Sequence, residues 1–229
     1  MVFKIRILIL PALMVAKVFG DLNCKKAPLL NCKAPKIFEQ IPREVSEFNV
    51  LCPEIKTYLK CLKDYQDSCD SENIEIYRSP DLFESAYATV SDLCEEGTPL
   101  NTVVIENLAC FSDILSKINC HMESYDAIAP YWEEQKNNPD YPSDDTPDFP
   151  CLNGALTYEC IRAAVSEKCG QVAEEAMLDI IRRSKLLENT CSVEGAKSLL
   201  EEMDSFNLKE DQRSSVTASL EKFVERNKN

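Results

Sequence analysis

The chain predicts an all-α fold of two disulfide-stapled helical modules, on three observations. Apolar residues recur at three- and four-residue spacing wherever they recur at all, and nothing alternates with period two. Prolines and glycines stand at the ends of those runs, where helices start and stop. A cysteine frame appears twice, at Cys52, Cys61, Cys69 and Cys94 and again at Cys151, Cys160, Cys169 and Cys191, with gaps of 8, 7 and 24 residues and then 8, 8 and 21. The filling matches as well: Thr57-Tyr58-Leu59-Lys60-Cys61-Leu62 answers Thr157-Tyr158-Glu159-Cys160-Ile161, offset by one residue. A spacing and a filling that recur together predict an internal duplication.

Residues 1–20 begin with Lys4 and Arg6, continue through an apolar run over 5–15 and end near the small residues around Gly20. That is the pattern of a secretory signal peptide cut before Asp21, and the run is well short of the ~20 residues a bilayer-spanning helix needs. All 12 cysteines follow the cut, and none stands in the close pairs that tetrahedral zinc uses. In an oxidising compartment they read as up to six disulfides. The net charge of −14 becomes −17 once the leader's Lys4, Arg6 and Lys17 are gone. Charge of that sign repels phosphate backbones, so nucleic acid and anionic membrane are set aside as partners. A chain of this size buries roughly 70% of the surface it exposes when unfolded, so a core is available without the bridges. Each loop of about 40 residues they close adds roughly 4 kcal/mol in the chain-entropy picture.

Residues 21–51 carry Cys24, Cys32 and prolines 28, 35 and 42, which predicts an irregular lead-in and a short helix over 42–49. The first module, 52–120, opens at Pro53 with a helix to about Ser68, its apolar stripe running through Ile55, Leu59 and Leu62 to Tyr65 or Gln66. Ser79-Pro80-Asp81 is a cap, a first-turn proline and a first-turn acid, opening a helix with Leu82, Phe83, Ala86, Val90 and Leu93 inward until Gly97 ends it. Thr98-Pro99 repeats the device, and Val104, Leu108, Phe111, Leu115 and Ile118 form the stripe of a third helix.

Between 121 and 150 come five prolines, eight acids against Lys136, and no apolar period, which predicts an extended linker whose aromatics (Tyr125, Tyr131, Trp132, Tyr141, Phe149) pack back on the modules. The second module, 151–229, repeats the plan: a helix over 152–168, a left-handed stop at Gly170, a helix over 171–188, and a short helix through Val193, Ala196, Leu200 and Met203. Asn207 with Glu210 resembles a capping box opening a last helix, whose basic end at Lys222, Arg226 and Lys228 suits the negative pole of the helix dipole.

In an antiparallel hairpin, residues equidistant from the turn face each other, which pairs Cys52 with Cys94 and Cys151 with Cys191. Cys61, Cys69, Cys110 and Cys120 are left in the first module, with offsets of 49 and 51 that suit two bridges between roughly parallel helices. Cys24 and Cys32 are left to complete Cys160 and Cys169, folding the N-terminal segment across the second module. The recurring helix with two or three cysteines, a cysteine-free stretch and a closing cysteine, over Cys52 to Cys120 and Cys151 to Cys191, resembles a secreted domain of unknown function of nematodes and arthropods. It is similar also to haemolymph glycoproteins of insects. The resemblance implies an extracellular helical protein and carries no catalytic residue to this chain. One departure is that no Asn-x-Ser/Thr acceptor occurs; only Asn189-Thr190-Cys191 has the rare cysteine form.

No catalytic signature is present: no GxSxG elbow, no HExxH, no phosphate-cradling glycine loop. His121, beside Cys120, reads as a surface residue. Acid pairs such as Glu95-Glu96, Glu133-Glu134, Asp144-Asp145 and Glu201-Glu202 read as solvated surface, since none stands in an apolar stretch that would raise one pKa. Residues 141–148 offer three carboxylates but lack the ligand spacing and closing glutamate of a calcium loop. The expectation is therefore a non-enzyme without cofactor or metal, a structural or interaction component of a secreted fluid or material with an extracellular protein partner. The alternative is a carrier of a small apolar ligand, with Tyr58, Tyr65, Phe83, Tyr87, Phe111 and Tyr158 lining the cavity.

Overall fold

The structure, a computed structural model, describes residues 23–35, 40–69, 76–77, 79–136 and 148–227. The signal-peptide expectation for 1–20, the turn centred near residue 73 and residues 137–147 of the acidic stretch lie outside the described residues. Every regular element among the described residues is helical: α1 Pro28–Asn31, α2 Val45–Ser68, α3 Pro80–Leu93, α4 Pro99–Leu115, α5 Cys120–Lys136, α6 Phe149–Cys169, α7 Gln171–Arg183, α8 Leu186–Thr190, α9 Val193–Glu201 and α10 Glu210–Arg226, with a 3-10 turn at Met203–Ser205.

Two predicted breaks are absent. Residues 42–49 and 53–68 do not form separate helices, because α2 runs straight through Pro53. Phe48, Leu51 and Cys52 before the proline and Tyr58, Leu62 and Tyr65 after it form one buried stripe, and that packing outweighs the local penalty. Asn49 and Pro53 are both exposed, so the carbonyl that loses its amide partner faces water. The expected extended linker likewise gives way to α5 over 120–136, with Pro130 inside it. Its buried stripe is Cys120, Ser124, Ile128 and Tyr131. A serine in that stripe hid the period; its hydroxyl donates to the Cys120 carbonyl at 2.7 Å and so meets the cost of burial.

Other boundaries shift by a turn or less. The helix expected over 171–188 is interrupted by Lys185, left-handed at φ 52°, which separates α7 from α8. The stretch from Val193 to Met203 is α9 followed by the 3-10 turn. The cap of α10 is Lys209 rather than Asn207, its amide donating to Gln212 Oε1 at 3.2 Å. Ser79 holds the cap position of α3, but its hydroxyl is turned to the Asp81 carboxylate. Thr98 behaves as predicted and does a second job: its Oγ1 accepts from the Asn101 amide at 3.2 Å and donates to the Asp92 carbonyl at 2.7 Å, closing the α3–α4 corner. Gly170, at φ +84°, separates α6 from α7 in a conformation that side-chain-bearing residues avoid.

Helix α6 is the centre of the molecule, packing against α4, α5, α7, α8, α9 and α10. The largest core joins Leu152, Ala155 and Leu156 of α6 to Leu199, Phe206, Val216, Leu220 and Phe223. A second core spans both halves, with Phe48, Cys52, Leu100, Val104, Leu108 and Phe111 meeting Val165, Ala173 and Ala176. A third, smaller one holds Cys32, Tyr58, Leu62, Tyr77 and Leu82.

All twelve cysteines are bonded. Cys52–Cys94 and Cys151–Cys191 are present, as hairpin geometry predicts. The other pairings correct the expectation: Cys24–Cys69, Cys32–Cys61, Cys110–Cys169 and Cys120–Cys160. The two halves are thus clamped through α4 and α5, and not by the N-terminal segment. Offsets within the first module mislead because α4 packs onto α6 and α7, bringing Cys110 to Cys169, while the N-terminal lead takes Cys61 and Cys69. Numbered in chain order, Cys24, Cys32, Cys52, Cys61, Cys69 and Cys94 pair first to fifth, second to fourth, third to sixth. The set Cys110, Cys120, Cys151, Cys160, Cys169 and Cys191 pairs in the same way.

Candidate functional site

Three helices build the most organised polar cluster among the described residues, and it stands on α6. Arg162 projects between α7 and α10. Its Nε donates to Glu159 Oε2 at 2.8 Å, its Nη1 to Glu174 Oε1 at 2.5 Å and its Nη2 to Ser215 Oγ at 3.3 Å. Ser166 Oγ donates to the second oxygen of Glu174, and Ser219 Oγ to the second oxygen of Glu159. Both carboxylates therefore have both oxygens engaged, the arrangement in which a partly buried charge is compensated. Hydrogen bonds from Ser166 and then Arg162 hold the Glu174 carboxyl below its ordinary pKa of 4.5. The bond to Glu159 is the main reason the Arg162 guanidinium is pushed above its own ordinary value.

Beside this cluster a trough of about 680 Å³ runs over α6 between α7–α8 and α10. Ala155 and Tyr158 of α6 lie along its floor, Leu178, Ile181 and Leu187 on one wall and Ala218 on the other. Burial raises the Tyr158 hydroxyl above its usual pKa, with Glu188 adding to the effect. None of this was legible beforehand. Glu159 and Arg162 are visible as an i, i+3 pair on one helix face, but nothing in the chain says that a serine 53 residues further on completes the set.

The residues nominated for a ligand cavity scatter. Tyr58, Tyr65 and Phe111 are buried in close-packed cores. Tyr65 is fully enclosed, and its hydroxyl donates to the Lys26 carbonyl at 2.8 Å, tying the N-terminal lead to α2. Phe83 and Tyr87 stack on the flank of α3, beneath the ammonium groups of Lys63 and Lys60. Only Tyr158 lines the trough.

Of the linker aromatics, Tyr131 is buried against Phe149 and Phe206 while Tyr125 is exposed; Tyr141 lies outside the described residues. Glu95 and Glu96 are exposed, and Glu202 accepts a hydrogen bond from the Tyr131 hydroxyl at 2.8 Å. His121 is exposed, with Nδ1 3.3 Å from Asn153 Nδ2. Of the acidic stretch over 141–148 only Asp148 is described, and it caps α6 by accepting from the Cys151 amide at 3.2 Å. Among the described residues no cluster of metal-ligating side chains occurs, and no helix is long and apolar enough to cross a membrane. Asn189 is half-buried with Nδ2 donating to the Ile76 carbonyl at 3.2 Å, and Cys191 is bridged, so the one rare acceptor sequence is closed in the folded protein.

No protein-family model, curated protein or solved structure matches this chain.

Proposed function

We propose that the protein is a secreted, disulfide-braced structural or interaction component of an extracellular fluid or material, built by duplication of a six-cysteine helical unit and related to the secreted domain its cysteine spacing resembles. The observation that carries this reading is the repeated connectivity. Six cysteines can pair in fifteen ways, so the same choice in two successive sets is far easier to inherit than to reach twice. Twelve bonded cysteines are what an oxidising compartment sustains, and the cores are filled around the residues that a deep ligand cavity would need. Expression with residues 1–20 attached in secreting eukaryotic cells tests it. The expected product appears in the medium, starts at Asp21 and offers no thiol to alkylation in denaturant. Retention in the cytosol, or free thiols, would sink the reading, and cross-linking in the source fluid then asks which protein it touches.

The second reading, a carrier of a small ligand, is favoured by one feature, the trough over α6, whose volume is within the usual ~300–1,000 Å³ of ligand sites. An apolar fluorescent probe separates the two: stoichiometric uptake by unreduced protein supports the carrier, and no uptake the interaction role.

A further inference from the structure

The trough over α6 is lined by small side chains and carries at one lip two cations, Lys222 and Arg226, that have no ion-pair partner among the described residues. Ala218 is exposed on the α10 wall, where a longer side chain would reach into the space, and Leu178 on the opposite wall remains 39% exposed. One end is closed and stiffened by the satisfied Arg162 cluster.

The other lip carries Arg182, Lys222 and Arg226, together with the acids Glu188 and Glu225. Arg182 is engaged with Asp179 on its own helix. Lys222 and Arg226 are four residues apart on α10, and among the described residues neither has a carboxylate partner; the Arg226 guanidinium reaches only the Lys222 carbonyl, at 3.3 Å. Like charges at that spacing repel. The dipole of α10 accounts for cations near its C-terminus, yet not for their place on the stripe of Ser215 and Ser219, the one that faces the trough. In a chain with 39 acids and 25 bases, two neighbouring cations that make no ion pair among the described residues, beside an apolar groove, are the feature a bound anion would explain.

We propose that the trough binds a small amphiphile, its apolar chain lying along Ala155, Leu178 and Ala218 and its anionic head seated between Lys222 and Arg226. The proposal rests on the carrier reading and adds the head-group chemistry. A cationic head would instead meet Glu188 and Glu225, so head charge discriminates.

The test uses unreduced protein lacking residues 1–20 and titrates it, below micelle formation, with decanoate, decanol and decyltrimethylammonium by calorimetry. Decanoate is expected to bind with one equivalent and roughly tenfold tighter than decanol, with the ammonium weakest. Lys222→Gln with Arg226→Gln should remove that advantage and leave decanol unchanged. Ala218→Trp should weaken both; each position is exposed, so circular dichroism and thiol titration serve as fold controls. If none of the three amphiphiles binds, the carrier reading falls with the proposal. Equal binding of decanoate and decanol, or no effect of the double variant, overturns the head-group assignment alone. Unchanged binding by the tryptophan variant overturns the location.

Discussion

The two six-cysteine sets share one pattern of bonds and little else. In the first, the lead before the main helix has only the four residues of α1 in regular structure among its described residues, and the core that it helps to close is the smallest of the three among the described residues, with Cys32 itself a member. In the second, the lead consists of two seventeen-residue helices, α4 and α5, which reach the same covalent positions through extensive packing of their own. The closing helix differs too, continuous in α3 but divided at Lys185 between α7 and α8. Identical bonds therefore do not impose identical structure. Where apolar side chains are plentiful a bridge reinforces a contact that packing already makes, and where they are few it is the contact.

The largest expected effect breaks that comparison most directly. Replacing Cys24, Cys69, Cys32 and Cys61 by serine should release residues 23–35, seen as fast hydrogen exchange and early proteolysis there, because each bridge contributes about 2–4 kcal/mol against about 1 kcal/mol for the Tyr65–Lys26 hydrogen bond. Serine at Cys110, Cys169, Cys120 and Cys160 should lower the melting temperature yet leave α4 and α5 protected. Equal release of both leads would remove the contrast.

Core truncations sharpen it. Phe223→Ala, in the largest core, should cost about 3–5 kcal/mol in denaturant melts, and Leu62→Ala, in the smallest, about 2. The reverse order would mean that the first unit is the better packed. Caps come next: Thr98→Ala at α4 and Asp148→Ala at α6, two of the helices that open on a proline within the first turn, should each cost about 1 kcal/mol.

The smallest effect is one of pH. Glu174 titrates below 4.5 in the folded chain, so its contribution is complete above the unfolded value and is lost as pH falls through the lower, folded one. Thermal melts between pH 5 and about 2 should lose this increment in the native protein, whereas Glu174→Gln should lack it already at pH 5 and show a correspondingly flatter decline.

Helix openings at Pro80 and Pro99, the stop at Gly170 and the stripe of Val104, Leu108 and Phe111 were all legible, because each depends on residues within a turn or two of one another. Pro53 and Pro130 misled for the same reason: a proline announces a local cost, and whether a helix continues depends on what its flanks bury elsewhere. Asp148 shows the limit in one residue. It reads as one acid in a solvated run, but it caps α6, and its carboxylate lies so close to α9 that a side chain at Gly195 would collide with it.

By itself the chain determined an all-helical protein, the places where most helices begin, and two bridges, Cys52–Cys94 and Cys151–Cys191, because helical period, capping and hairpin symmetry act over short separations. Only the tertiary structure decided that α4 and α5 belong covalently with the second set, and that Arg162, Glu174 and Ser215 meet at the end of a trough. Those meetings follow from how whole helices pack, and packing depends on apolar surfaces summed over the molecule, which no local spacing records.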